Sequence, residues 1–120
     1  MTNKFLVSLT NGKSDTDRAT VGFVVANAAV ASGKEVVVFL NIDGAYLSDK
    51  GYADDIHEAG FAPLKDLMDQ FVEAGGMLWV CSPCHKKREL SEENLIEGAT
   101  IVGGAKVVEF LSEGAASITY

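Results

Sequence analysis

Residues 81–88 read Cys-Ser-Pro-Cys-His-Lys-Lys-Arg, the stretch of the chain richest in groups able to do chemistry. The thiolate is the nucleophilic form of cysteine, and nearby positive charge favours it. Cys81 and Cys84 are the chain's two cysteines. Three positions apart, they cannot staple distant parts of a fold as a disulfide framework does. Two ordinary buried thiols are the plainest reading, but the motif falls where a strand turns into a helix, an uncommon place for an inert core cysteine. A reactive cysteine fits better. Ser82 is placed to cap the helix and Pro83 to be its first residue. Cys81 then faces the unpaired amides and the positive end of the helix dipole, which stabilise a thiolate. Lys86, Lys87 and Arg88 follow within about two turns and add to that field, although three cations in a row are as often a solvated face.

Other chemistries share the motif. With His85 the pattern becomes Cys-x-x-Cys-His, the c-type haem attachment motif. Haem loading needs export and a second axial ligand. No methionine follows His85, Met68 and Met77 fall in core elements, and the α/β pattern below is not that of a small cytochrome. A thioredoxin-like dithiol needs a proline after the motif, and neither Pro63 nor Pro83 follows Cys84. Zinc would draw on Cys81, Cys84, His85 and the distant His57. His85 adjoins Cys84 too closely for comfortable joint chelation, and His57, among Asp54, Asp55 and Glu58, reads as a surface residue. No cofactor and no metal is therefore expected. Gly12-Lys13-Ser14 imitates the end of a phosphate-binding loop, but Val7 stands where the leading glycine belongs. The turn is read as a polar connection lining the pocket around Cys81, with Asn11 and Ser14 offering hydrogen bonds.

Five strands must position these groups. Residues 5–9, 36–40, 77–81, 99–102 and 116–120 read as short β-branched or aromatic runs. Between the first two, Ser14 is predicted to cap a helix with Asp17 in its first turn. Val21, Val24, Val25, Ala28 and Ala29 form its predicted apolar stripe, and Gly33 its stop. Pro63 suits the first turn of a second helix, with Leu64, Leu67, Met68 and Phe71 on one face. Ser91 with Glu92 and Glu93 starts a short turn, and Gly103-Gly104 leads into a last helix through Val107, Val108 and Leu111. Residues 43–62 look irregular but carry Tyr46, Leu47, Tyr52 and Phe61. That loop is expected to shield the cysteine or, in preference, to bury itself against another subunit. Strands alternating with helices predict an α/β fold with a mostly parallel sheet covered on both faces. Chemistry in such sheets gathers outside the carboxyl ends of the strands, where Cys81 falls.

Composition narrows the classes. The chain has 120 residues, about one domain's worth. It is 48% hydrophobic and 22% charged, which excludes a disordered segment. A net charge of −7 argues against nonspecific nucleic-acid binding. No apolar run approaches the roughly 18 residues of a membrane span. The amino-terminal apolar run, residues 5–9, is far too short for a secretory core. A cytoplasmic protein with reduced thiols is expected, bound neither to membrane nor to nucleic acid.

The ordered set of Val80-Cys81, the basic turn Lys86 to Leu90, the acidic turn Ser91-Glu92-Glu93, Glu97-Gly98-Ala99, Val102-Gly103-Gly104-Ala105 and Leu111-Ser112-Glu113-Gly114 resembles the DsrE/DsrF-like family. The resemblance implies one three-layer α/β/α domain over residues 1–120, with a five-stranded, mainly parallel sheet. It implies homo-oligomers, commonly trimers or hexamers. It also implies sulfur metabolism, in which the family cysteine at the end of the third strand receives sulfur as a persulfide and passes it on. That role maps onto Cys81. Cys84 has no fixed counterpart, and resolving a persulfide, binding metal or standing idle all stay open for it. The expectation is a sulfurtransferase-like persulfide carrier with Cys81 and Cys84 catalytic and Asn11, Ser14, His85, Lys86 and Arg88 as ligand-binding groups. Its partners would be sulfur donor and acceptor proteins or small persulfides. The alternatives are a non-catalytic oligomeric binding module of the same fold and a Cys-x-x-Cys dithiol redox protein.

Overall fold

Residues 36–40, Val-Val-Val-Phe-Leu, have no polar break, and they form the middle of a sheet. The computed structural model describes residues 2–120. Its strands are β1 (Lys4–Leu9), β2 (Glu35–Leu40), β3 (Met77–Cys81), β4 (Ala99–Val102) and β5 (Ala116–Thr119). They lie in the order β4-β3-β2-β1-β5, every neighbouring pair parallel. Because all five run the same way, all carboxyl ends open on one edge of the sheet. The helices are α1 (Thr16–Ala31), α2 (Leu64–Glu73), α3 (Ser82–Lys87) and α4 (Gly104–Ser112).

Side chains alternate across a strand, and the alternation sorts two cores. Val7, Leu9, Val36, Val38, Leu40, Leu78 and Val80 pack with Ala19, Phe23 and Ala26 of α1 and Leu64, Met68 and Phe71 of α2. Leu6, Val37, Trp79 and Val102 point the other way and meet Phe110 of α4. The result is the three-layer α/β/α arrangement with a five-stranded parallel sheet. Aromatic edges lock both layers: Phe23 meets Phe71 with ring centroids 5.9 Å apart, and Trp79 meets Phe110 at 5.4 Å.

Helix α1 departs from the predicted pattern twice. Its buried residues are Ala19, Thr20, Gly22, Phe23 and Ala26, and not the predicted Val21, Val24, Val25, Ala28, Ala29 stripe, of which none is buried. The helix is apolar nearly all round, so spacing alone leaves its phase free. The bulky Phe23 sets that phase by filling the space against Phe71. The cap is Asp15, whose side chain accepts from the Arg18 amide at 3.0 Å, in place of Ser14. The Ser14 hydroxyl is engaged elsewhere, donating to Asn11 Oδ1 at 3.0 Å. Helix α2 carries its buried face as predicted, with Pro63 as the cap one position before its first residue.

The stretch 43–62 packs much of its apolar surface on this chain itself. It begins with the 3-10 segment Ile42–Ser48, and Ala45, Leu47, Ala53 and Ile56 are buried in this chain's own core. Tyr46 and Tyr52 stack on each other, centroids 5.3 Å apart. The segment is tied down by Gly44, where a Cβ would come 2.0 Å from the Leu9 carbonyl oxygen. That oxygen belongs to backbone, which a side chain cannot displace cheaply. Gly44→Ala should therefore lower unfolding free energy by about 3 kcal/mol, at the upper end of overpacking costs. Urea denaturation followed by tryptophan fluorescence checks this, and an unchanged midpoint would show that the contact is not needed.

Candidate active site

Strand β3 ends at Cys81, and alternation along the strand puts its side chain on the side of Met77 and Trp79. No residue separates β3 from α3, so the last strand residue must also be the helix cap. Cys81 fills both roles: its backbone is extended, and its Sγ accepts the Cys84 amide at 3.4 Å. Ser82 was the expected cap. It and Pro83 are instead the first two residues of α3.

Cys84 has its own donor. The Ile42 amide reaches Cys84 Sγ at 3.3 Å. Ile42 is held at φ 53, in the left-handed region. A β-branched residue there is an outlier costing about 1–3 kcal/mol, and such strain persists only where surroundings impose it. Hydrogen bonds of three neighbouring residues, Asn41, Gly44 and Asp43, impose it. Asn41 Nδ2 donates to Ser8 Oγ at 3.1 Å and to the Phe39 carbonyl at 3.0 Å. Gly44 returns its amide to the Asn41 carbonyl at 2.9 Å. Asp43 Oδ1 accepts from Arg88 Nε at 3.2 Å and from Nη2 at 2.9 Å.

Arg88, at the end of α3, is thereby a structural clasp. Its Nη1 also donates to the Cys84 carbonyl at 3.2 Å, and its guanidinium lies 5.7 Å from the Tyr46 ring centroid. Beyond the Tyr46–Tyr52 stack, Lys13 lies 4.7 Å from the Tyr52 centroid, and the Lys13 amide donates to the Tyr52 hydroxyl at 2.7 Å. Two tyrosines thus fill the turn that imitated a phosphate loop and connect it to the cysteine helix.

The predicted ligand-binding residues scatter accordingly. Asn11 and Ser14 bond to each other on the turn after β1. Strand β2 lies between β1 and β3, so that turn begins about 10 Å from the end of β3, two strand spacings away. His85 is 3% exposed and turned into the fold. Lys86 is exposed, and Arg88 is committed to Asp43 and Cys84. What gathers at the thiols is Cys81, Cys84, Ile42, Asp43 and Arg88. Sequence reasoning missed Asn41, Ile42 and Asp43 as parts of the site. Only the irregular look of the stretch beginning at Asp43 pointed there, and nothing in the sequence marks an isoleucine for positive φ. Among the described residues, no three of His, Cys, Asp and Glu converge closely enough to hold a metal ion.

The thiol's acidity also departs from expectation. Burial pushes the Cys81 thiol above its ordinary value, and the hydrogen bond with the Cys84 thiol adds to the rise. The Cys84 amide and the Arg88 charge pull the other way and lose. The predicted dipole and cation run are weak here for physical reasons. Helix α3 has only six residues, Lys86 and Lys87 are exposed, and Asp43 offsets Arg88.

The sequence matches the family model described as "DsrE/DsrF-like family" over residues 3–120. The chain belongs to the DsrE/DsrF-like family. Among similar curated proteins is the uncharacterized protein MJ0989 of Methanocaldococcus jannaschii, 31% identical over 117 residues, covering 98% of this chain and 99% of that one. Another is MK0008 of Methanopyrus kandleri, 34% identical over 97 residues, covering 81% of this chain and 77% of that one. MJ0760 of Methanocaldococcus jannaschii is 31% identical over 104 residues, covering 87% of this chain, and there the match spans only 38% of the relative's length. The crystal structure of the YchN protein from E. coli superposes with a TM-score of 0.81 at 15% identity, covering 100% of both chains. A protein of unknown function, MTH1491 from Methanobacterium thermoautotrophicum, does so with a TM-score of 0.68 at 15% identity, covering 98% of this chain and 97% of that one. At that identity the shared property is the fold. Among the described residues of this DsrE/DsrF-like chain, no helix is long and apolar enough to cross a membrane.

The raised Cys81 acidity constant has a direct readout. Carbamidomethylation of Cys81 by iodoacetamide, followed by peptide mass mapping, should accelerate with pH toward a midpoint above the ordinary thiol value of about 8.5. Arg88→Gln should move that midpoint further up, since it removes the charge that favours the thiolate. A wild-type midpoint below the ordinary value would contradict the dominance of burial.

Proposed function

We propose that this protein is a sulfur-relay carrier of the cytoplasm that holds sulfur as a persulfide on Cys81. The observation that carries the proposal is the thiol at the open end of β3, partly exposed, with the amide of Cys84, the residue that bears the second thiol, aimed at its sulfur. Membership of the DsrE/DsrF-like family supports it. Loading is a sulfur transfer between thiol sulfurs. Cys81 Sγ attacks the outer sulfur of a donor R–S–SH, and the bond between the donor's two sulfurs breaks. The departing R–S⁻ leaves with the electron pair and takes up the Cys81 proton. Cys81–S–SH remains, its outer sulfur keeping the proton it carried on the donor. The resting thiol is protonated at neutral pH, as an ordinary thiol is, and burial holds it further from ionising. It reacts slowly with stray electrophiles and depends on a donor whose leaving sulfur accepts its proton.

Unloading reverses the logic, with an acceptor thiolate attacking the outer sulfur and Cys81 leaving. The reduced protein, incubated with a persulfide donor and measured by intact mass, should gain one sulfur atom that a thiol reductant removes. Cys81→Ser should gain none, and Cys84→Ser should keep the added sulfur longer than wild type. No added sulfur in any of the three forms would sink the proposal.

The carrier is proposed to work as a homo-oligomer. Val108 and Leu111, 62% and 37% exposed, project from neighbouring turns of α4, and Ile118 is exposed on the edge strand β5. Light scattering after size exclusion should give the mass of a trimer or hexamer for wild type and of a smaller species for Val108→Asp. A monomeric wild type would refute assembly without touching the sulfur chemistry.

A further inference from the structure

The least expected feature of the site is the amide aimed at the second cysteine. If Cys84 were only a small hydrophobe beside the reactive thiol, no backbone strain would be needed to serve it. Instead Ile42, a residue type that avoids the left-handed region, is held there with its N–H on Cys84 Sγ, and its side chain is left 51% exposed. The side chain gains no burial from this conformation. What the conformation delivers is the donor. The contact joins segments 42 positions apart in the chain, so it is not a by-product of local helix geometry. Arg88 and Asp43 close the other side of the same turn, with Arg88 also gripping the Cys84 carbonyl.

We propose that Cys84 is a resolving thiol, and that the Ile42 amide stabilises its sulfur as a thiolate while it attacks. This step rests on the persulfide assignment to Cys81 and says how that persulfide ends. Cys84 loses its proton to water, and its sulfur attacks Cys81 Sγ, which already accepts the Cys84 amide at 3.4 Å. A bond forms between the two Sγ atoms. The bond from Cys81 Sγ to the outer sulfur breaks, and hydrosulfide leaves with the electron pair. The sulfane sulfur is reduced to sulfide and the two cysteine sulfurs are oxidised to a disulfide, so the electrons balance. Each cycle then needs a dithiol reductant to return both thiols. The product is free sulfide when no acceptor thiol arrives first, which distinguishes this chain from a carrier with one cysteine.

The attacking sulfur and the amide can be tested separately. In a single turnover without reductant, wild-type protein treated with a persulfide donor should release one sulfide per chain and finish with a Cys81–Cys84 disulfide. Cys84→Ser should still load one sulfur per chain and release none. Replacing the Ile42 amide by an ester through semisynthesis deletes the N–H alone. It should slow release roughly tenfold, the effect of one hydrogen bond to a charged group, and leave loading unchanged. Ile42→Gly keeps the N–H and relieves the strain, so it should release at the wild-type rate. If the ester chain does not refold, Asp43→Ala, which frees the turn from Arg88, should slow release from the already loaded chain, a step read separately from any change that the unpaired Arg88 makes to loading. Sulfide release by Cys84→Ser at the wild-type rate, or equal release by the ester and wild-type chains, would overturn the proposal. A mixed disulfide between Cys81 and a chromogenic aromatic thiol separates this inference from the carrier assignment. Wild type should expel the aromatic thiol through Cys84, and Cys84→Ser should retain it. Expulsion by wild type alone, in a protein that accepts no sulfane sulfur, would remove the carrier assignment and leave the resolving role standing. Retention by both would overturn the resolving role.

Discussion

A glycine passing the Leu9 carbonyl is the constraint on which the site depends. The chain leaving β2 must cross the carboxyl edge of the sheet, and at Gly44 it does so with no room for a Cβ. That approach fixes the level of the whole turn. Asn41 is anchored to Ser8 and Phe39 on one side of it, and Ala45 and Leu47 enter the core on the other. With both flanks fixed, the two residues between have little freedom left. Ile42 takes positive φ, and Asp43 is presented toward α3. The strain at Ile42 is small against the several buried side chains that hold the segment, each contributing about 1.5–3 kcal/mol by burial. A packing decision made at a glycine therefore appears as an amide direction near two sulfurs.

Electrostatics at the site follow from the same geometry. Arg88 is the nearest guanidinium to the thiols, and a free one would favour a thiolate at Cys81. Its Nε and Nη2 are bound to the Asp43 carboxylate, and its Nη1 to the Cys84 carbonyl. The ion pair is partly buried, with the Arg88 side chain 11% exposed and that of Asp43 40% exposed. A paired cation projects a dipole, whose field falls off faster than that of a charge. Burial of Cys81 is left as the larger influence, so the resting site is a neutral thiol supported by directed amides. Such a site responds to what docks on it. A ligand that covers the pair strengthens every hydrogen bond to sulfur by excluding water.

The parallel sheet was legible because its strands are runs of valine, isoleucine and phenylalanine cut by glycine turns, and Leu64, Met68 and Phe71 betrayed α2 by spacing. Cys81 at the end of β3 was legible for the same reason, since a strand assignment places its own last residue. The phase of α1 was not. Its sequence is apolar on every side, and only the tertiary match of Phe23 to Phe71 chooses a face. The cap residues moved by one position, to Asp15 and to Cys81, because Ser14 found a partner in Asn11 and because β3 runs into α3 without a spacer. The partners of Cys84 and Arg88 lie 42 and 45 positions away in the chain. No local pattern encodes them, and the acidity of Cys81, which depends on burial and on those partners, was misread with them.

Two sulfurs with separate amide donors imply a division of labour that one thiol cannot provide. The Cys84 amide serves Cys81 and the Ile42 amide serves Cys84, so each donor is fixed before any substrate arrives. Preorganised donors act where charge develops and need not reorient as it does. Charge in a sulfur transfer moves from the attacking to the leaving sulfur, and the donors stand on Cys84, which attacks in the proposed resolving step, and on Cys81, which leaves in the proposed unloading step. The stacked tyrosines extend this rigidity across the sheet edge, from Lys13 beside Tyr52 to Arg88 beside Tyr46. Contacts of that kind are each worth about 0.5–2 kcal/mol, modest singly but aligned here in one row. Rotation of α3 away from the turn would break the Arg88–Asp43 pair, the Arg88–Tyr46 contact and the Ile42–Cys84 hydrogen bond together. The thiols are thus held in register by interactions that share one turn, and the same glycine that shapes the turn governs the chemistry available at its tip.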